Sequence, residues 1–378
     1  MKNAVILSCF GWYEKRIEPI RKIFIEKGFK VEVMLSDFRQ LTKKPVEQKF
    51  KECFYIHVLP YKKNLSLKRL CSHYGFSRKA LKYLNKIKPD LIYALVPPNS
   101  VAFICYKYKK KYPATKLVFD IIDLWPESMP IGKLKRTFPC TIWENMRNRS
   151  LKSANYIFTE CSLYQEEIKE YITSSHDTLH LFKKYAQGEE ELVKKCIYEK
   201  EARKNLITLG YVGSINHIID IQNIVNIVKA LKNKYGNVVI NIIGDGEKRK
   251  FFLDKLEETG AIINYYGMIF DELEKISILA KCDYALNLMK NTVKVGLTIK
   301  SIDYFSYGLP IINNIKGDTW KIVEHEGIGI NYEGDVNKLL GNIKYSNKDL
   351  HLKVLDCYKN YFTKKVFEKK IKKMLASL

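Results

Sequence analysis

Short apolar runs alternate with amphipathic stretches along the whole chain, and this alternation limits the fold more than any other feature. In the first half, residues 3–10, 30–36, 54–61, 91–96 and 116–122 read as strands, and 14–27, 66–88 and 100–112 as helices, the last capped by Asn99. In the second half the strands are 205–212, 238–243, 262–266, 283–289, 309–314 and 328–332. The helices between them lie near 220–235, 247–258, 272–281 and 318–325, and a polar, basic helical stretch covers 335–377. A strand that returns through a helix to a parallel neighbour builds a doubly wound sheet. The pattern therefore predicts an α/β chain with two Rossmann-like lobes facing a cleft. The charged stretch 184–204 lacks β-type apolar runs and is read as a linker. It separates a lobe over 1–184 from one over 205–360, and a C-terminal helix over 361–378 is expected to pack back on the first lobe.

Charge is large and uneven. The net charge is +24; residues 1–184 carry 35 Lys and Arg against 17 Asp and Glu, and the remainder 30 against 24. A basic half fits a polyanionic partner such as anionic lipid or a phosphorylated substrate. A Lys-rich solvated surface is the plainer account of the total, though not of the asymmetry. Nucleic acid is not expected, because no recognised binding module is present. The nine cysteines form no C-x-x-C pair, which fits a reducing, cytoplasmic compartment. No apolar run reaches the ~20 residues of a spanning helix.

The most informative stretch is Val295 to Ile312, read as a loop, a short helix and a buried strand. Gly296 permits close backbone approach, Thr298 caps the helix, and Lys300 and Asp303 share one face. Gly308 and Pro310 end it. A helix N-terminus is a ready anion site. Lys300 in the first turn has the wrong sign for the dipole alone, and an anion between them resolves the conflict. Asp303 is placed to accept from a vicinal diol. The plain alternative is a surface helix with unrelated charges.

Three other segments carry candidate chemistry. Gly210-x-x-Gly213-Ser214 and Gly244-Asp-Gly246 follow strands, the second leading into Lys248 and Arg249; both turns suit a phosphate or are ordinary strand–helix turns. Asp123, Trp125 and Glu127 end a first-lobe strand, where an aromatic face beside carboxylates suits a sugar. The same residues also fit a turn with a core Trp and a capping Asp. Residues 133–152 mix Lys133, Lys135 and Arg136 with Phe138, Ile142 and Trp143, the composition of a helix lying on anionic lipid or of a packing helix. No metal motif or metal-spaced His cluster appears.

In this order the segments resemble the family 4-like glycosyltransferases of the GT-B fold: Gly-x-x-Gly, Ile-Gly-Asp-Gly, Tyr266-Gly267 before a capped helix, then Lys-x-x-Asp-Tyr through Gly-x-Pro-Ile. Asp-Leu-Trp-Pro at 123–126 is similar to a segment of a bacterial subgroup acting on lipid-linked sugars in surface-polysaccharide synthesis, such as capsule or lipopolysaccharide. The resemblance implies a nucleotide-sugar donor, UDP-linked, held by Gly213, Ser214, Gly244, Gly246, Lys248, Arg249, Met268, Gly296, Leu297, Thr298, Lys300 and Asp303. It implies a polyprenyl-linked or oligosaccharide acceptor at Asn99, Asp123, Trp125 and Glu127, with Lys300 and Asp123 catalytic and no cofactor. It also implies peripheral attachment to the inner face of the cytoplasmic membrane. Val295 stands where many members carry a Glu that meets the sugar, and Ser214 where an Arg is frequent. Transfer is expected to be retaining and metal-independent; an inverting variant needs a base, for which Asp123 is the candidate. A non-catalytic partner subunit and a nucleotide-sugar epimerase share the implied fold.

Overall fold

The computed structural model describes residues 1–378 except Trp12, Leu41, Pro130, 133–136, 201–204, Val293 and 346–347. Lys133, Lys135 and Arg136 thus lie outside the described residues. Two compact units are present, Met1–Leu181 with Lys365–Leu378, and Phe182–Lys364.

The first unit runs β1 (Lys2–Ser8), a π turn (Tyr13–Ile17), α1 (Glu18–Glu26), β2 (Phe29–Ser36), β3 (Phe38–Arg39), β4 (Lys44–Pro45), β5 (Cys53–Ile56), α2 (Leu67–Ile87), β6 (Leu91–Val96) and α3 (Asn99–Lys111). It continues through β7 (Lys116–Ile121), α4 (Phe138–Leu151), β8 (Tyr156–Thr159), α5 (Ser162–Ile168) and β9 (Ser175–Thr178). Seven strands pair in parallel in the order β5-β2-β1-β6-β7-β8-β9. All six residues of β6 are buried, as a central parallel strand covered on both faces requires. Hydropathy does not reveal β9, because Ser-His-Asp-Thr is a polar edge strand. Asn99 does not cap α3. Pro98 holds that position, and the Asn99 side chain is spent on two carbonyls described below.

In the second unit, α6 (Glu189–Tyr198) occupies the stretch read as a linker; its acidic first turn conceals an apolar face of Val193, Cys196 and Ile197. The chain continues through β10 (Leu206–Val212), α7 (Ile221–Tyr235), β11 (Asn237–Ile243), α8 (Arg249–Glu257), β12 (Ile262–Tyr265), α9 (Glu272–Leu279) and β13 (Tyr284–Asn287). It ends with α10 (Ile299–Ser306), β14 (Ile311–Asn313), α11 (Asp318–Glu326), β15 (Gly329–Asn331), α12 (Val336–Asn342) and α13 (Lys348–Tyr361). Aspartates cap α7, α9 and α12, each accepting from a backbone N–H of the first turn. The parallel sheet has the order β12-β11-β10-β13-β14-β15. Strand order reverses between β10 and β13, and the crevice beyond the carboxyl ends of such a pair is where an open α/β sheet receives a ligand.

The last helix, α14 (Lys364–Ser377), contributes nearly all of its length to the first unit and buries Phe367, Ile371 and Met374. Its Lys370 Nζ donates to Thr178 O at 2.6 Å and lies 3.1 Å from Asp177 Oδ1. Phe367 lies under the Arg16 guanidinium, 5.7 Å from ring centroid to Cζ. Arg16 is fully buried and meets Asp120 of β7 through a two-pronged pair, Nε to Oδ2 at 2.7 Å and Nη2 to Oδ1 at 2.6 Å. Arg16 Nη2 also donates to Leu179 O at 2.9 Å, and Tyr93 of β6 donates its hydroxyl to Asp120 at 2.8 Å. Removing one partner of a buried pair leaves an uncompensated charge. Asp120→Ala is therefore expected to cost about 3–5 kcal/mol, read as an earlier urea transition of the full chain; an unchanged midpoint would show that the pair does not hold this unit together.

Candidate functional site

The crevice at the reversal of the second sheet is built from three turns and one helix start. Gly213 ends β10 with φ 125°, and Gly244 ends β11 with φ 140°. The two turns are stitched backbone to backbone: Gly213 N donates to Ile243 O at 3.0 Å, Ile215 N to Asp245 O at 2.9 Å, and Gly244 N to Gly267 O at 2.6 Å. A Cβ on Gly244 would sit 2.0 Å from Gly213 O, and one on Gly246 would sit 2.3 Å from Ile215 O. Only glycine fits at either place. Ser214 is exposed at the turn, and its carbonyl accepts from Tyr211 Oη at 2.9 Å. Met268, after Gly267, is 60% exposed.

The start of α10 is fixed by a row of asparagine amides, two of them fully buried. Asn287, Asn313 and Asn331 stand at one register level across β13, β14 and β15. Asn287 Nδ2 donates to Asn313 Oδ1 and to Ser301 Oγ, each at 3.0 Å, and Asn313 Nδ2 donates to Asn331 Oδ1 at 3.0 Å. Thr298 caps α10, its Oγ1 accepting from Ser301 N at 3.1 Å. From α11, Thr319 donates to Gly296 O through both its backbone N (2.9 Å) and its Oγ1 (3.0 Å). Gly296 and Leu297 are buried by these contacts.

Lys300 leaves this pinned first turn and lies across Gly213; a Cβ there would come within 2.9 Å of its Cδ. Its Nζ stands over the Tyr211 ring, 4.9 Å from the centroid. Among the described residues it has no ion-pair partner, and burial alone lowers its pKa to about 8. Lys248 and Arg249, at the start of α8, are exposed, and Arg249 pairs with Asp245 at 3.3 Å.

Asp303, one turn beyond Lys300, is engaged by a residue the sequence did not single out: Lys183 Nζ lies 3.0 Å from its Oδ1 and also pairs with Glu272. Tyr307 donates its hydroxyl to Glu272. Burial raises the Glu272 carboxyl, but Lys183, with Tyr307 and Lys275, more than offsets this and brings it to about 2. Burial raises the Asp303 pKa, with Lys183 acting against it. No local signal in the sequence joins Lys183 to Asp303.

The four candidate residues of the first unit are brought together around Trp125. Its Nε1 donates to Asp123 Oδ2 at 2.6 Å. Its carbonyl accepts from Asn99 Nδ2 at 2.8 Å and from Arg147 Nη1 at 3.0 Å. Asn99 Nδ2 also donates to Trp143 O at 2.8 Å. Glu127 makes a two-pronged pair with the buried Arg147, at 3.0 and 2.6 Å. Asp123 Oδ1 accepts from Leu124 N at 2.9 Å and Tyr164 Oη at 3.3 Å, and burial raises its pKa despite these bonds. The carboxylates expected to meet a sugar are thus occupied by their own unit. Among the described residues no group of three or more His, Cys, Asp or Glu could hold a metal, and no helix is long and apolar enough to cross a membrane.

No family model and no curated protein matches the chain. Solved structures do. The sucrose-phosphate synthase of Thermosynechococcus elongatus aligns over 100% of this chain and 98% of its own, at 11% identity and a TM-score of 0.68. Anabaena HepE in complex with UDP aligns over 100% of both chains at 12% identity and 0.66. The lipopolysaccharide outer core galactosyltransferase WaaB aligns over 100% of this chain and 99% of its own at 16% identity and 0.69. What the chain shares with them is the fold, two parallel-sheet α/β lobes of the GT-B type.

Proposed function

We propose that the chain is a glycosyltransferase that takes a sugar from a nucleoside-diphosphate donor, UDP-linked, and delivers it to a lipid-linked or saccharide acceptor in surface-polysaccharide synthesis. The observation that carries this reading is Lys300, a half-buried cation without an ion-pair partner among the described residues, held over the Gly213 turn at a helix N-terminus. The fold neighbours include HepE solved with UDP-glucose, which supports the donor class.

In this reading the diphosphate rests on the α10 N-terminus and Lys300, with Ser214 and the Gly244–Gly246 turn beside it and Met268 toward the base. Asp303 offers its second oxygen to the ribose while Lys183 holds the first. Transfer breaks the anomeric C–O bond, and negative charge grows on the leaving diphosphate. Lys300, Lys248, Arg249 and the helix dipole stabilise it as it forms, so the step needs no metal. The acceptor hydroxyl bonds to the anomeric carbon on the same face, and its proton passes to the departing phosphate oxygen. This retaining course needs no base from the protein; an inverting one would draw on Asp123, which already accepts from Trp125, Leu124 and Tyr164. The first lobe serves the acceptor, with Asn99, Asp123 and, through Arg147, Glu127 positioning Trp125. Its excess of positive charge, with Lys107, Lys110 and Lys111 exposed on α3 and with Phe138 (78% exposed) and Ile142 (48% exposed) on one face of α4, suits attachment to an anionic membrane.

Three measurements bear on this. Lys300→Ala should weaken UDP binding by about 2–3 kcal/mol, as for loss of a charge-assisted bond. Because Lys300 in the free protein is charged below about 8 and neutral above it, wild-type affinity should fall as pH rises through that value while the variant stays flat; parallel calorimetric profiles would remove Lys300 from the site. UDP affinity should be the same in EDTA as in excess magnesium, and a requirement for the ion would overturn the metal-free account. Finally, the protein should float with phosphatidylglycerol vesicles at low salt, with a salt-resistant remainder lost in Phe138→Ser/Ile142→Ser. Failure of the wild type to float would reduce the basic lobe to solvated surface.

A further inference from the structure

The first unit holds a buried cation, Arg69, with no ion-pair partner among the described residues. The helix α2 starts at a Ser66 cap, whose Oγ accepts from Arg69 N at 3.3 Å. Leu67, Leu70 and Tyr74 follow at helical spacing and stay 80%, 43% and 51% exposed, an apolar stripe facing outward. Arg69, in the same turns, is only 5% exposed. Its guanidinium lies on the Trp125 ring at 4.3 Å and beside the Tyr61 ring at 6.0 Å. Nη1 donates to Asn64 O at 2.7 Å and the Tyr61 hydroxyl is a further hydrogen-bonding neighbour of the guanidinium, while Nε and Nη2 make no hydrogen bond of good geometry among the described residues. One turn on, His73 is 3% exposed and stacks on Trp125 at 5.9 Å and 20°, with neither ring nitrogen bonded. Burial, and then the Arg69 and Lys43 charges, push its pKa down to about 3, so it is a neutral ring with one N–H to donate.

Arg69, His73, Trp125 and Trp143 line a cavity of about 290 Å³ whose rim includes Leu67 and Leu70. None of its described lining residues is acidic. Asp123 is the carboxylate whose charge reaches Arg69, and its oxygens already accept from Trp125, Leu124 and Tyr164. Exposed Lys62, Lys63 and Lys68 surround the helix start. Burying a guanidinium with unused donors is costly unless an anion completes it.

We propose that this cavity binds the phosphate end of a lipid-linked phosphate or diphosphate, with its hydrocarbon chain laid along Leu67, Leu70 and Tyr74. A free phosphate would leave the apolar stripe unexplained, and a bare bilayer surface would leave Arg69 and His73 unexplained. Identifying this ligand with the glycosyl acceptor rests on the proposed transferase reaction; the binding itself does not.

The test titrates the full chain with farnesyl diphosphate, inorganic pyrophosphate and farnesol by calorimetry, with UDP titrated separately. Wild type should bind farnesyl diphosphate at least tenfold more tightly than either of the others. Arg69→Gln should lose at least tenfold of that affinity, and Leu67→Ser/Leu70→Ser, at exposed positions that leave the fold intact, should bind farnesyl diphosphate no better than pyrophosphate. Lys300→Ala should bind it as wild type does. Equal binding of pyrophosphate and farnesyl diphosphate, unchanged affinity in either of the first two variants, loss in Lys300→Ala, or no binding at all would each overturn the assignment. A protein that binds farnesyl diphosphate but not UDP would keep this site and lose the transferase reading; the reverse result would do the opposite.

Discussion

The second unit depends on where α10 begins. Its eight residues gain little from helix propensity, since a helix this short is marginal by itself. Its position is set by the amide ladder of Asn287, Asn313 and Asn331 running across three strands to Ser301, and by Thr319 gripping Gly296. Buried amides cost free energy unless they are hydrogen-bonded; Asn287 spends its Nδ2 on both Asn313 and Ser301, while its Oδ1 has no donor among the described residues. The ladder fixes the angle of the helix, the helix fixes the Lys300 stem, and the stem requires glycine at 213.

Three buried or half-buried cations show how context decides what a charge is for. Arg16 has a carboxylate gripping it from two sides and a carbonyl besides, so it is internal scaffolding. Lys183 is shared by Asp303 and Glu272 and orients both. Lys300 has an aromatic face in place of a carboxylate. A lysine can occupy such a place at lower cost than an arginine because it can shed its proton, and its lowered pKa records that cost. What distinguishes these residues is the partner, which the sequence does not display.

The fold was legible because it is written in local patterns. Apolar runs of strand length and the glycines at their ends are read within a few residues of one another. Thr298 as the cap of α10 is of the same kind. What escaped depends on distance along the chain. Lys183 meets Asp303 across 120 positions, and Arg147 meets Glu127 only because α4 returns over the turn after β7. The polar strand β9 carries no hydropathy signal, and the apolar face of α6 is masked by the three glutamates of its first turn. Asp123, Trp125 and Glu127 were visible as a cluster, but their internal hydrogen bonds were not.

The return of α14 to the first unit has a consequence for how the protein is made. A ribosome delivers residues 1–181 first, yet Phe367, Ile371, Met374 and the Lys370 anchor on β9 arrive only after the whole second unit has been synthesised. Until then the ground beneath Arg16 lacks Phe367 and the edge strand β9 lacks its lysine. Units of this size ordinarily fold as they emerge. Here the burial of Phe367, Ile371 and Met374 and the Lys370 bonds to β9 can be completed only after the second unit has been synthesised, so the last-made helix closes the first-made unit.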